Sequence, residues 1–367
     1  MSNYQVIARR WRPKTFQALV GQDNIVKTLT NAIQTNHIAH AYLFVGPQGT
    51  GKTSTARLFA MALNCENGPR VDFDPESPRC SSIFQGQNLD VIEIDGASNN
   101  SVEQIRSLRE NCQYSPSESP FKIYILDEVH MLSTAAFNAL LKTLEEPPAH
   151  VKFIFATTEI HKVPSTIVSR CQHFEFYPLS PEIIQKHLRH IVDVEKINAE
   201  EEALAIIAQL AEGGMRDAQS ILDQAIAFCD GPLTKEAVLS IYGLTPLETI
   251  QALASSIEKG DYAQILNIIE SIINKGHDSY RALKSLYRCF HERFTQSLKQ
   301  AGPLSPFAYT QILDVLKGGE ESLQNALSIR SNLESIIFKA VECVKLNSVE
   351  TLLKLLNESS TDVKKND

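Results

Sequence analysis

Short apolar runs alternate with amphipathic stretches through the first half of the chain. AYLFV at 41–45, DVIEID at 90–95, KIYILDE at 122–128 and VKFIFATT at 151–158 have strand length and are rich in β-branched and aromatic residues, while KTSTARLFAMAL has helical character. Strands that alternate with helices predict a parallel, doubly wound α/β sheet. The β-branched runs stop near Ser180. Helix-starting triplets such as Ser180-Pro181-Glu182 and Thr234-Lys235-Glu236 follow, and the remainder is expected to be all helix. A loop with Gly243 and Pro246 divides that remainder, and beyond it Leu333, Ile336, Ile337, Ala340, Val341 and Val344 recur at helical spacing.

The expected organisation is an α/β domain over 1–178, a small helical domain over 179–242, a second helical domain over 243–357, and a polar, disordered tail over 358–367. Residues 64–87 interrupt the alternation with a Pro-, Gly-, Asp- and Ser-rich stretch, which reads as an inserted loop too polar for a core element.

Composition narrows the class. No run approaches the roughly 20 apolar residues of a membrane-spanning helix, and the N-terminus lacks a secretion signal, so the expectation is a cytoplasmic protein with no membrane partner. Seven scattered cysteines argue against a disulfide framework. The net charge of −8 repels phosphate overall, so any nucleic acid must meet a local basic face. Arg9, Arg10, Arg12 and Lys14 form the most basic window, and a solvated or salt-bridged surface is the expectation there.

The chemistry concentrates after the first strand. Gly46, Pro47, Gln48, Gly49, Thr50, Gly51, Lys52 and Thr53 match a phosphate loop set between strand and helix. Glycine lets backbone N–H groups turn inward around a phosphate, and the helix N-terminus adds partial positive charge. Lys52 is expected to reach the β and γ phosphates and Thr53 to ligate Mg²⁺. Asp127 and Glu128 end another apolar strand on the same side of the sheet. Asp127 would hold Mg²⁺ through water, and Glu128 would orient the attacking water. Thr157 and Thr158 end the next strand, where one hydroxyl could meet the γ-phosphate or the water, or simply terminate the strand.

With these motifs in view, the chain resembles the gamma/tau subunits of bacterial DNA polymerase III clamp loaders, members of the AAA+ ATPases. The resemblance lies in ARRWRPKTFQALVGQ at 8–22, HAYLFVGPQGTGKTSTAR at 40–57, DEVHMLSTAAFNALLKTLEEPP at 127–148, Ser169-Arg170-Cys171, and GGMRDAQSILDQAIA at 213–227. It implies a P-loop AAA+ domain, a helical lid and a C-terminal helical collar, with the short gamma form as the expected type. It implies Thr158 as the first sensor, with Thr157 as fallback, Arg170 as an arginine finger acting on a neighbouring subunit's nucleotide, and Arg216 as the second sensor. ATP and Mg²⁺ are the implied ligands. The implied partners are copies of the chain and delta-like and delta-prime-like subunits in a ring, a sliding clamp, and primer-template DNA.

Two departures modify this picture. Relatives often carry a four-cysteine zinc module in the inserted loop; here only Cys65 and Cys80 remain, with Asp74 and Ser77 at the inner positions, and the expectation is a metal-free surface projection. Asn99, Asn100, Ser101, Thr134 and Ala135 stand where relatives often have DNA-tracking basic residues, which leaves Lys162 and Arg106 as candidates. Two alternative functions remain: a nucleotide-binding scaffold without turnover, and another AAA+ DNA motor such as a branch-migration helicase.

Overall fold

The computed structural model describes residues 5–229, 231–299, 303–324 and 327–345, and divides into two compact units at Thr234/Lys235. The expected tail at 358–367 lies outside the described residues, as do 346–357.

The first unit runs α1 (Ile7–Arg10), α2 (Asp23–Gln34), β1 (Ala41–Val45), α3 (Lys52–Asn64), α4 (Pro78–Gln85), β2 (Val91–Asp95), α5 (Val102–Asn111), β3 (Lys122–Asp127), α6 (Thr134–Glu145), β4 (Val151–Thr157), α7 (Ser165–Val168), β5 (Gln172–Glu175), α8 (Pro181–Val194), α9 (Glu201–Leu210) and α10 (Met215–Phe228). The five strands are parallel, in the order β2-β3-β4-β1-β5. Successive strand side chains point to opposite faces, so the continuous apolar runs feed two cores. Tyr42, Phe44, Ile123, Ile125 and Ile154 join the residues of α2, α3 and α4, while Leu43, Tyr124, Leu126, Phe153 and Phe155 pack with α5, α6 and α7. This is the expected parallel, doubly wound α/β sheet, covered on both faces as parallel sheets require. The fifth strand was not legible in the pattern, because at this edge position only Phe174 of its four residues is buried.

The segment 64–87 departs from expectation. Rather than projecting into solvent, it buries Phe73, Cys80 and Ile83 in the core beneath α3. Its helix α4 starts on Ser77, whose hydroxyl accepts from Cys80 N, and on Pro78, and it ends at Gly86. Local composition is polar, but a few apolar side chains, Cys65 among them, suffice to anchor it.

The second unit comprises α11 (Lys235–Ile241), α12 (Leu247–Lys259), α13 (Tyr262–Asn274), α14 (Ser279–Ser297), α15 (Pro306–Gln324) and a helical stretch over 329–345. Asp261 and Asp278 cap α13 and α14 through their carboxylates. Leu333, Ile336, Ile337, Ala340 and Val341 are buried in its core, with Val344 packed against it.

Candidate functional site

The strand order sets the site. β4 lies between β1 and β3, so the loop after β1, the acids after β3 and the threonines after β4 emerge side by side at the C-terminal edge of the sheet. The loop from Gly46 to Gly51 can take its path only with glycine at key points. Gly46 has φ +151, and a Cβ there would lie 2.3 Å from the carbonyl oxygen of Phe176. Gly49, at φ +76, would bring a Cβ to 2.9 Å from a carboxylate oxygen of Asp217.

Lys52 opens α3 and is only 6% exposed. Its ammonium donates to the carbonyls of Gly46 and Pro47, both at 2.8 Å. Burial lowers its pKa against the opposing pull of Glu128 and Asp127. Thr50 is engaged structurally, donating to Pro47 O at 2.8 Å. The hydroxyl of Thr53 donates to Asp127 Oδ2 at 2.6 Å, joining the start of α3 to the end of β3.

Glu128 follows with φ +44, a left-handed conformation that costs a residue with a side chain about 1–3 kcal/mol. Its N–H donates to Asp127 Oδ1 at 3.0 Å, and its Oε2 accepts from Thr158 Oγ1 at 3.3 Å. Thr157 is fully buried and differently occupied: Oγ1 accepts from Glu159 N at 3.0 Å and lies 3.1 Å from His130 Nδ1. His130 bridges the two acids, with Nδ1 3.4 Å from Glu128 Oε2 and Nε2 3.4 Å from Glu159 Oε1.

Helix α10 closes the other side. Met215 N and Arg216 N donate to Gly49 O at 3.0 and 3.4 Å, and Arg216 lines the same cavity as Lys52, Thr53, Asp127 and Glu128. Gln48 also lines it. Arg170 lies elsewhere: it donates to Thr166 O at 2.7 Å and to Glu145 Oε1 at 2.5 Å, and it is absent from this lining.

The buried ammonium, the glycine cradle that side chains would fill, and the paired hydroxyl and carboxylate fit a nucleoside triphosphate with a divalent cation. The inserted segment offers no comparable donor set. Burial pushes the thiols of Cys65 and Cys80 up, Cys80 adds to the rise at Cys65, and Ser77 is spent as a helix cap. Among the described residues no group of three or more His, Cys, Asp or Glu side chains is arranged to hold a metal.

Residues 21–180 match the family described as DNA polymerase III, delta subunit, and residues 183–231 match DNA polymerase III clamp loader subunit, ATPase lid domain. The DNA polymerase III subunit gamma of Buchnera aphidicola subsp. Acyrthosiphon pisum is 42% identical over 80% of this chain and 82% of its own length. The chain belongs to the DNA polymerase III gamma/tau family. Subunit tau of Bacillus subtilis is 47% identical over 79% of this chain and 52% of its own length, and subunit tau of Escherichia coli is 45% identical over 75% and 43%. The chain therefore spans about half the length of these longer family members.

Three residues of this gamma/tau chain were not singled out by its sequence as parts of the site. His130 follows the Asp-Glu pair but carries no motif of its own. Glu145 is 25 positions from Arg170. The basic window expected to be solvated or salt-bridged is so at Arg10, paired with Glu195 at 3.2 Å, and at Lys14, paired with Glu76 at 2.6 Å, while Arg12 departs from it by lining the cavity. Lys162, a candidate for DNA, is paired with Glu159 at 2.9 Å.

Proposed function

We propose that this chain is the ATP-hydrolysing motor subunit of a clamp loader, which with related subunits in a ring opens a sliding clamp and leaves it on primer-template DNA. The observation that carries the reading is the Thr53–Asp127 bond of 2.6 Å, because it brings the phosphate loop and the acidic strand end into one reaction centre. Lys52 exchanges its two carbonyl partners for β and γ phosphate oxygens. Thr53 and Asp127 would hold a magnesium ion, which would supply charge neutralisation on the phosphate oxygens. Glu128 orients a water in line with the γ-phosphorus and takes its proton, while the bond to the β,γ-bridging oxygen breaks and ADP and phosphate result. Thr158 holds Glu128 and reports the γ-phosphate to it.

Arg170 serves a neighbour. Delivered across a subunit boundary, such a guanidinium stabilises the transferring phosphoryl group by on the order of 10³ to 10⁵ in rate, which makes turnover conditional on assembly. Arg216 couples nucleotide to the lid through α10, whose first N–H groups already rest on the Gly49 carbonyl. The helical second unit is proposed as the ring-forming collar.

Reconstitution tests this reading: the chain, delta-like and delta-prime-like subunits, clamp, primed DNA and ATP are mixed, and clamp retained on DNA is measured. ATP-dependent retention is expected. Retention that is equal without ATP would leave the chain a nucleotide-binding scaffold.

A further inference from the structure

We infer that Arg12 is a further ligand of the nucleotide's phosphate chain, carried into the cavity on an arm fixed to the lid. This rests on the nucleotide reading above and adds a residue to it. The arm is well anchored. Ile7 is buried and its N–H faces Asp223 Oδ1 of α10 at 3.5 Å. Trp11 stands edge-on to His187 and His190 of α8, with ring centroids 6.3 and 5.5 Å away, and its indole N–H donates to Glu195 Oε1 at 3.0 Å. The residue after Trp11 is thereby directed into the cavity that also holds Lys52, Thr53 and Arg216.

Arg12 has cations beside it and, among the described residues, no acceptor bonded to it. Glu93 pulls on it, but both Glu93 oxygens are taken by Arg57 at 2.7 Å. No hydrogen bond or ion pair of the Arg12 guanidinium occurs among the described residues. Burial and the neighbouring Arg57 and Arg216 lower its proton affinity, opposed by Glu93. A half-buried guanidinium with five donors, no acceptor and like charges beside it is unfavourable in the ligand-free protein. An anion with several oxygens removes that penalty, and planar guanidinium suits phosphate oxygens bidentately. The phosphate-loop residues Gln48–Thr53 share the cavity, so the phosphate chain of a nucleotide is the ligand chemistry, in preference to a nucleic-acid backbone on an open surface.

Arg12→Ala, Arg12→Lys and Lys52→Ala are compared with the unaltered full chain by ATP titration, by thermal unfolding with and without ATP, and by primed-DNA binding. Arg12→Ala is expected to weaken ATP on the order of 10- to 100-fold, with Arg12→Lys intermediate. Without nucleotide, the melting temperature of Arg12→Ala should equal or exceed that of the unaltered chain, because an unsatisfied cation has been removed, while its ATP-induced rise shrinks. ATP affinity within twofold of the unaltered chain overturns the inference. So does a drop in melting temperature that is the same with and without ATP, which would mark Arg12 as structural, and so does a loss confined to DNA binding. Lys52→Ala separates the two levels: if it loses ATP while Arg12→Ala does not, the Arg12 inference alone fails, and if neither loses ATP, the nucleotide reading fails with it.

Discussion

The hydroxyl of Thr158 donates to Oε2 of Glu128 at 3.3 Å, so the tip of β4 holds the carboxylate at the tip of β3. Glu128 sits in a left-handed backbone conformation that side chains disfavour, and this bond together with His130 is what orients the strained residue.

Under the proposed function, Thr158→Val is expected to lower maximal ATP turnover of the assembly by roughly 10- to 100-fold with little change in KM, because it removes the group that holds the Glu128 carboxylate and leaves the phosphate loop intact. Thr158→Ser should recover most of the rate. Steady-state ATPase assays check this, and a KM increase at unchanged maximal rate would contradict it. The adjacent Thr157→Val should act on stability instead, by about 1–3 kcal/mol in urea unfolding, since it strands Glu159 N and removes one of the two partners of His130 Nδ1.

Arg170 is held within its own chain by Glu145 at 2.5 Å and by Thr166 O at 2.7 Å. Arg170→Ala is expected to leave ATP affinity of the isolated chain unchanged and to cut turnover of the assembly by on the order of 10³. Glu145→Ala, which frees the guanidinium without deleting it, should cost several-fold. Equal turnover in the Arg170→Ala assembly would show that hydrolysis does not depend on a neighbour.

Asp90 is 2% exposed and accepts the backbone N–H groups of Ser117, Glu118 and Ser119 at 2.6, 2.9 and 2.9 Å. Burial alone would raise its pKa, but these hydrogen bonds outweigh it and the net shift is downward. A carboxylate with a depressed folded pKa stabilises the fold above its unfolded value, near 4, and loses that contribution as pH falls through the folded value. Asp90→Asn should therefore lower stability at pH 7 by about 1–3 kcal/mol, with the difference from the unaltered chain narrowing below pH ~4. Urea unfolding at pH 7 and pH 3 checks the sign.

In the second unit, Glu258 accepts from Arg293 Nη1 at 2.6 Å and from Tyr309 OH at 2.9 Å. Glu258 is 11% exposed at its side chain, and burial with the nearby carboxylate raises the Tyr309 pKa. Removing the acid leaves a largely buried guanidinium without its countercharge, held by Gln251 O and Ser255 Oγ. Glu258→Ala is expected to destabilise this unit by about 3 kcal/mol, read as faster amide exchange in α12, α14 and α15.

The sheet and the phosphate loop were legible because they depend on short-range pattern: apolar runs of strand length, glycines at fixed offsets, and acids at a strand end. Segment 64–87 was misread because average polarity hid the few anchors that matter, Phe73, Cys80 and Ile83, although Ser77-Pro78 and Gly86 were ordinary helix start and stop signals. Strand β5 was missed because an edge position leaves most of its side chains exposed. The direction of Arg12 was out of reach: a run of charges gives no orientation, and Trp11 fixes it only through His187, His190 and Glu195, more than 170 positions away in the sequence. The Glu145–Arg170 pair likewise needs α6 and α7 packed together before it exists.

Triphosphate is proposed to bind against Gly46–Thr53 through Lys52, and calorimetric titration of the chain with ATP and magnesium reads that binding without any partner subunit. Saturable binding near one nucleotide per chain, lost in Lys52→Ala, is the expected result. Binding of equal affinity and stoichiometry in Lys52→Ala would contradict it.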